Sequence, residues 1–131
     1  MPTYFLIEKQ KAFLLYKYYL LNSIDWLERE EVENEKQKLR ISWFLNCLEK
    51  EKYLVKQIEE KLKTGWKFSH LPPLEKALLI FASYEIIFQK QVPVPLLIDQ
   101  VIIFSKKYLE EDKYKYINKV LDLLSKSYHK N

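Results

Sequence analysis

Residues 74–108 read LEKALLIFASYEIIFQKQVPVPLLIDQVIIFSKKY, and this stretch decides the fold. Leu74, Ala77, Leu78, Phe81, Ala82 and Ile86 recur at spacings of three and four, the period of one helical face. Leu79, Ile80, Ile87 and Phe88 widen that face almost to a full circle, so the pattern predicts a helix from Pro73 to about Gln89 with neighbours on most sides. Pro73 suits a first turn, where its missing N–H leaves nothing unpaired. Pro93 and Pro95 then end one helix and open the next. Leu96 to Tyr108 is again apolar nearly all round, and its span Leu96 to Phe104 reads either as core or partly as a contact between two copies.

The remaining segments are also helical. Glu111 to Ser127 is amphipathic: Ile117, Val120, Leu121 and Leu124 face inward, while Lys115, Lys119 and Lys126 share an outer face. Toward the N-terminus, Phe5, Leu6, Lys9, Phe13, Tyr16 and Leu20 predict a helix over Tyr4–Leu21, with Asn22-Ser23 as its stop and Ser23 or Asp25 as the next cap. Residues 25–38 hold six acids against three bases. With Trp26, Leu27 and Val32 as the few apolar anchors, a short surface helix is expected there. Ile41, Phe44, Leu45, Leu48, Leu54, Val55, Ile58 and Leu62 form the stripe of one long helix, Leu39 to Leu62, closed by Gly65 as a left-handed cap. The sum is an all-α bundle in a single domain, with no good strand and no internal repeat.

Composition removes several classes of function. Gly65 is the only glycine in 131 residues, whereas a phosphate loop needs two and a dinucleotide fingerprint three. Cys47, His70 and His129 are the only Cys and His side chains, too few and too scattered for a structural zinc site. Neither His follows a Glu at the spacing of di-iron bundles, and no nucleophile sits in a catalytic motif, so no enzyme is expected. The start Met-Pro-Thr-Tyr lacks signal-peptide features, and no apolar run approaches a membrane span, so the expected location is cytoplasmic. The formal charge is +4, and 20 of 22 basic residues are Lys, which permits nucleic-acid binding without demonstrating it.

Ordered landmarks then accumulate along the C-terminal half. They are Trp66, Glu75-Lys76-Ala77-Leu78-Leu79, Ala82-Ser83-Tyr84-Glu85, Val92-Pro93, Ile98-Asp99-Gln100-Val101-Ile102, Ser105-Lys106, Glu111-Asp112, and Lys115-Tyr116-Ile117-Asn118-Lys119-Val120-Leu121. This order and spacing resemble the NusB family of bacterial transcription antitermination factors. In the N-terminal half, Lys9, Lys11, Ala12, Leu15 and Tyr16 echo the family's arginine-rich first turn and following Leu-aromatic pair. Departures are Ile80 where the family usually has Arg, Asp99-Gln100 for Asn-Glu, and Leu109 and Lys119 for Gly.

The resemblance implies a compact bundle of six to seven helices in two packed three-helix halves, residues 1–64 and 73–131 of one domain. It implies a cofactor-free RNA-binding antitermination factor. With the ribosomal protein NusE, such a factor binds boxA-type RNA within the RNA polymerase antitermination complex, as monomer or homodimer. The alternative is an adaptor with the same fold and reduced or lost RNA binding. The RNA-binding residues so implied are Lys9, Lys11, Tyr16, Asp112, Lys115, Tyr116 and Lys119. Glu75, Leu79 and Tyr84 would face the protein partner. Each has a plainer reading. The lysines form a solvated face, Asp112 and Glu75 are first-turn acids favoured by the helix dipole, and the tyrosines, Tyr4, Tyr18 and Tyr19 included, belong to the core. Cys47 is read as a core thiol.

Overall fold

The computed structural model describes residues 3–128, with side chains from residue 9 onward. The side chains of Tyr4, Phe5 and Leu6, and all of His129, lie outside the described residues. Six α-helices occur among the described residues: α1 Thr3–Leu21, α2 Glu35–Glu49, α3 Glu51–Glu59, α4 Pro73–Tyr84, α5 Val94–Tyr108 and α6 Lys113–Tyr128. No strand is present among them.

The apolar stretch that begins at Leu74 is the centre of the bundle. Every residue from Ala77 to Ile87 is buried. α4 packs most extensively on α1 and also touches α3, α5 and α6, so it joins the first three helices to the last three. Leu79 and Ile80 are wholly enclosed. Truncating such a side chain to Ala costs about 2–5 kcal/mol, the range set by how far the site can collapse. Ile80, where the resemblance led one to expect Arg, lies in this interior. Beyond Tyr84 the helix widens into a π turn, Glu85–Gln89, closed by Lys90 N–H to the Glu85 carbonyl at 2.8 Å. Lys90 ends it at a left-handed φ of 51°.

Three local expectations change. The expected helix over residues 25–38 is only a short 3-10 turn, Asp25–Arg29; the chain then runs extended to Asn34, whose Oδ1 caps α2 by accepting from Gln37 N–H at 3.0 Å. Its clustered acids and few anchors leave too little to offset helix nucleation. The expected long helix breaks at Lys50 (φ −99°, ψ 2°) into α2 and α3. Cys47 and Leu54 flank the break seven positions apart and both remain fully buried, so the apolar stripe keeps its register across it. Gly65 does not cap that helix. It is the third residue of a separate turn, at φ 91°, closed by Trp66 N–H to the Lys63 carbonyl at 2.9 Å.

The periodicity that predicts α1 leaves its inward face open. Ala12 and Leu15 are buried, whereas Phe13 and Leu20 are 40% and 53% exposed. α1 is apolar on most sides, so periodicity does not choose the face; its close contact with α4 does. On α5 the inward residues are Leu97, Val101 and Phe104, while Leu96 and Ile103 point outward. Asn22 stops α1 at φ 51°, and Ser23 Oγ accepts the Asp25 N–H at 2.9 Å.

Candidate nucleic-acid interface

The C-terminal turn of α5 carries Lys106, Lys107 and Tyr108, cations being favoured where helix carbonyls end. α1 crosses beside it and presents Lys9. The Lys9 ammonium lies 5.2 Å from the Tyr108 ring centre, 5.8 Å from Phe104 and 5.7 Å from Phe13, and donates to Tyr108 Oη at 3.3 Å. This hydrogen bond, with the charge of Lys107, lowers the Tyr108 phenol pKa. Lys107 lies over Tyr108 at 5.3 Å, and Lys106 over Tyr114 of α6 at 4.8 Å. Phe13 and Tyr108 are both exposed. Ammonium groups interleaved with exposed rings can contact phosphates and stack on unpaired bases.

The sequence-expected RNA residues fall in several neighbourhoods. Lys9 belongs to the α1–α5 surface just described. Lys11 lies over the Trp43 ring of α2 at 5.1 Å. Tyr16 is half-buried against the core. Asp112 takes a left-handed φ of 69° just before α6 and pairs with Lys115 at 3.5 Å, both side chains exposed. Tyr116 turns inward. Its phenol donates to Glu75 Oε1, and burial followed by this bond raises its pKa. Its ring meets Trp66 edge-on at 5.1 Å. Lys119 lines a cleft of about 480 Å³ with Trp66, Tyr116, Lys61 and Lys63.

The three expected partner-facing residues lie inside the bundle. Leu79 is wholly buried, and Glu75 and Tyr84 are each 4% exposed. Glu75 holds Tyr116, while Tyr84 receives a hydrogen bond from Gln89 Nε2 at 3.0 Å and packs on Trp43 at 5.4 Å. The physical reason is the position of α4, which has helices on all sides and little outer face. Glu85 is buried as well, its Oε2 accepting from Trp43 Nε1 at 2.8 Å. Lys106, Lys107, Tyr108 and Tyr114 were not among the expected site residues. Their only sequence signal is the Lys-Lys-Tyr of 106–108 followed by the Lys-Tyr-Lys-Tyr of 113–116.

No group of three or more His, Cys, Asp or Glu able to hold a metal occurs among the described residues, and none of their helices is long and apolar enough to cross a membrane. Fold and surface together define an all-helical bundle that carries a cluster of lysines and rings on its outside. The chain belongs to the NusB family, whose sequence profile matches residues 6–126. The transcription antitermination protein NusB of Helicobacter pylori is 36% identical over 100 residues, 76% of this chain and 71% of that protein. That of Methylacidiphilum infernorum is 26% identical over 113 residues, 86% and 73% of the two chains. With that of Desulfitobacterium hafniense the identity is 38% over 71 residues, 54% of this chain, and the match spans only 48% of that relative. Among solved structures, T. maritima NusB superposes with a TM-score of 0.73 at 19% identity over 92% of both chains. A chain from the crystal structure of antitermination factors NusB and NusE in complex with dsRNA gives 0.75 at 20% identity, over 98% of this chain and all of that one. These superpositions establish the shared fold.

Proposed function

We propose that the chain is an RNA-binding transcription antitermination factor, acting in the cytoplasm by binding rather than catalysis. It engages boxA-type RNA together with NusE during ribosomal RNA transcription. The observation that carries this reading is the surface where Lys9, Lys106 and Lys107 stand among Phe13, Tyr108 and Tyr114. Family membership supports it, and so do the names of the relatives. Lysines supply phosphate neutralisation with counterion release, and exposed rings supply stacking. Lys115 and Lys119 extend the basic surface along α6, with Lys11 and Tyr16 on α1 and Asp112 at the α5–α6 corner. The NusE contact is drawn from surface around the first turn of α4, with Glu75 setting that turn through Tyr116 rather than touching the partner.

A second reading, an adaptor that keeps NusE and has lost RNA, is favoured by one observation. Lys9 and Lys11 are both engaged with rings of their own chain. Anisotropy of a labelled boxA-type RNA, with and without NusE at two salt concentrations, separates the two. The RNA reading expects salt-sensitive binding that NusE strengthens. It also expects Lys106→Glu with Lys107→Glu to weaken binding and flatten the salt slope by roughly 0.7 for each phosphate no longer neutralised. A folded protein that binds NusE but no RNA at either salt refutes it in favour of the adaptor.

A further inference from the structure

Between α1, α2 and the π turn lies a cleft of about 400 Å³, away from the Tyr108 surface. Lys11, Lys36 and Arg40 line it, together with Asn46, Gln89 and the Trp43 ring, and no carboxylate does. The nearest buried acid, Glu85, is engaged through Trp43 Nε1 at 2.8 Å. Arg40 is the unusual member. It is one of only two Arg among 22 basic residues. Its Nε is buried without a hydrogen-bond partner, and its guanidinium enters no ion pair among the described residues. Glu30 and Glu31 line the neighbouring cleft on another side of Arg40, yet Glu30 pairs with Lys17 instead.

The Arg40 Nε is closed off from the cleft, so the terminal NH2 groups, which enter no ion pair among the described residues, are the part of Arg40 that can meet an anion there. The planar guanidinium fork matches the oxygens of a phosphate in a way an ammonium does not. We propose that this cleft binds a phosphate group, with the terminal NH2 groups of Arg40 as the two-pronged donor, Lys36 supplying further charge, and the Asn46 carboxamide a neutral hydrogen bond. Such a group has two sources. One is the backbone of an RNA strand, which rests on the RNA-binding reading above and adds a contact on the α2 side. The other is a free phosphate compound.

The full-length chain is compared with Arg40→Gln, Arg40→Lys and Lys36→Gln, and with Lys107→Glu as a reference at the other surface. Labelled single-stranded RNA is titrated by anisotropy at two salt concentrations, and inorganic pyrophosphate by calorimetry. An RNA phosphate predicts that Arg40→Gln weakens RNA about tenfold, equivalent to about 1.4 kcal/mol. Arg40→Lys then restores the salt slope but not the full affinity, and Lys36→Gln weakens binding less. A free phosphate compound predicts a pyrophosphate binding isotherm that Arg40→Gln abolishes while RNA affinity stays unchanged. If wild type binds no RNA, the RNA-binding reading fails and the pyrophosphate titration alone decides the cleft. Unchanged RNA and pyrophosphate binding in Arg40→Gln, alongside weakened RNA binding in Lys107→Glu, overturns the proposal; so does a wild type that binds neither ligand. Thermal midpoints accompany each variant, and Arg40→Gln is expected to melt no lower than wild type because it removes an unpartnered donor.

Discussion

Tyr116→Phe tests whether the tyrosine serves the interior, as its geometry indicates. The phenol donates to the carboxylate of Glu75, a residue only 4% exposed. The substitution removes one oxygen and leaves the ring, including its edge contact with Trp66 at 5.1 Å. A hydrogen bond to a charged group contributes about 1.5–3 kcal/mol, and here the acceptor stays behind, poorly hydrated. For a chain of this length that loss lowers the thermal midpoint by roughly 5–12 °C. Urea denaturation gives the free energy directly. A double-mutant cycle with Glu75→Ala isolates the pair, because removing the carboxylate costs less once the phenol is gone. RNA affinity of the folded variant should match wild type, since the phenol oxygen points inward. A loss below about 0.5 kcal/mol, or a coupling energy within the error of additivity, refutes the reasoning.

Stability should fall at alkaline pH. Burial, then hydrogen bonding to Glu51 and Glu75 respectively, raises the Tyr19 and Tyr116 pKa values above their ordinary 10. A pKa raised on folding means stability is intact below about pH 10 and declines above it, because only the unfolded chain ionises there. The urea midpoint should therefore drop between about pH 9 and 11, and less steeply in Tyr116→Phe; a flat profile contradicts the two buried phenols. Cys47 is wholly buried, and desolvation, then the nearby Glu85 and Glu51, raises its thiol pKa. An aromatic disulfide reagent should label it only as fast as the chain opens, so immediate stoichiometric labelling would disprove its enclosure. Gly65→Ala should cost about 1–2 kcal/mol through its positive φ alone. A Cβ there meets nothing within 4 Å, so an undiminished urea midpoint would show that the turn is not held at φ 91°.

Much of the architecture was legible in the residues. The circle of apolar side chains around α4 announced a helix with neighbours on most sides, and prolines at 72, 73, 93 and 95 marked the connections. The break at Lys50 was not legible, because Cys47 and Leu54 keep one face across it. The inward side of α1 was equally hidden, since Phe13 and Leu20 are as apolar as Leu15. The candidate interface was half legible. Lys9 was picked out, but its companions Lys106, Lys107 and Tyr108 lie about a hundred positions away and come near it only when the fold brings the end of α5 within reach of the Lys9 side chain. Glu75, Leu79 and Tyr84 looked like partner-facing residues by resemblance, and packing enclosed all three.

The sequence by itself determined that the chain is all-helical, roughly where the C-terminal helices begin and end, and which family it joins. Helical period, proline and turn signals act over a few neighbouring residues, and the family pattern is carried by their order. Only the tertiary structure decided which polar groups meet. Trp43 with Glu85, Tyr116 with Glu75 and Lys9 with Tyr108 are pairs 42, 41 and 99 positions apart. No local rule couples positions so distant. Their meeting follows from how the helices dock to bury α4, which also leaves the Arg40 fork at the edge of an open cleft.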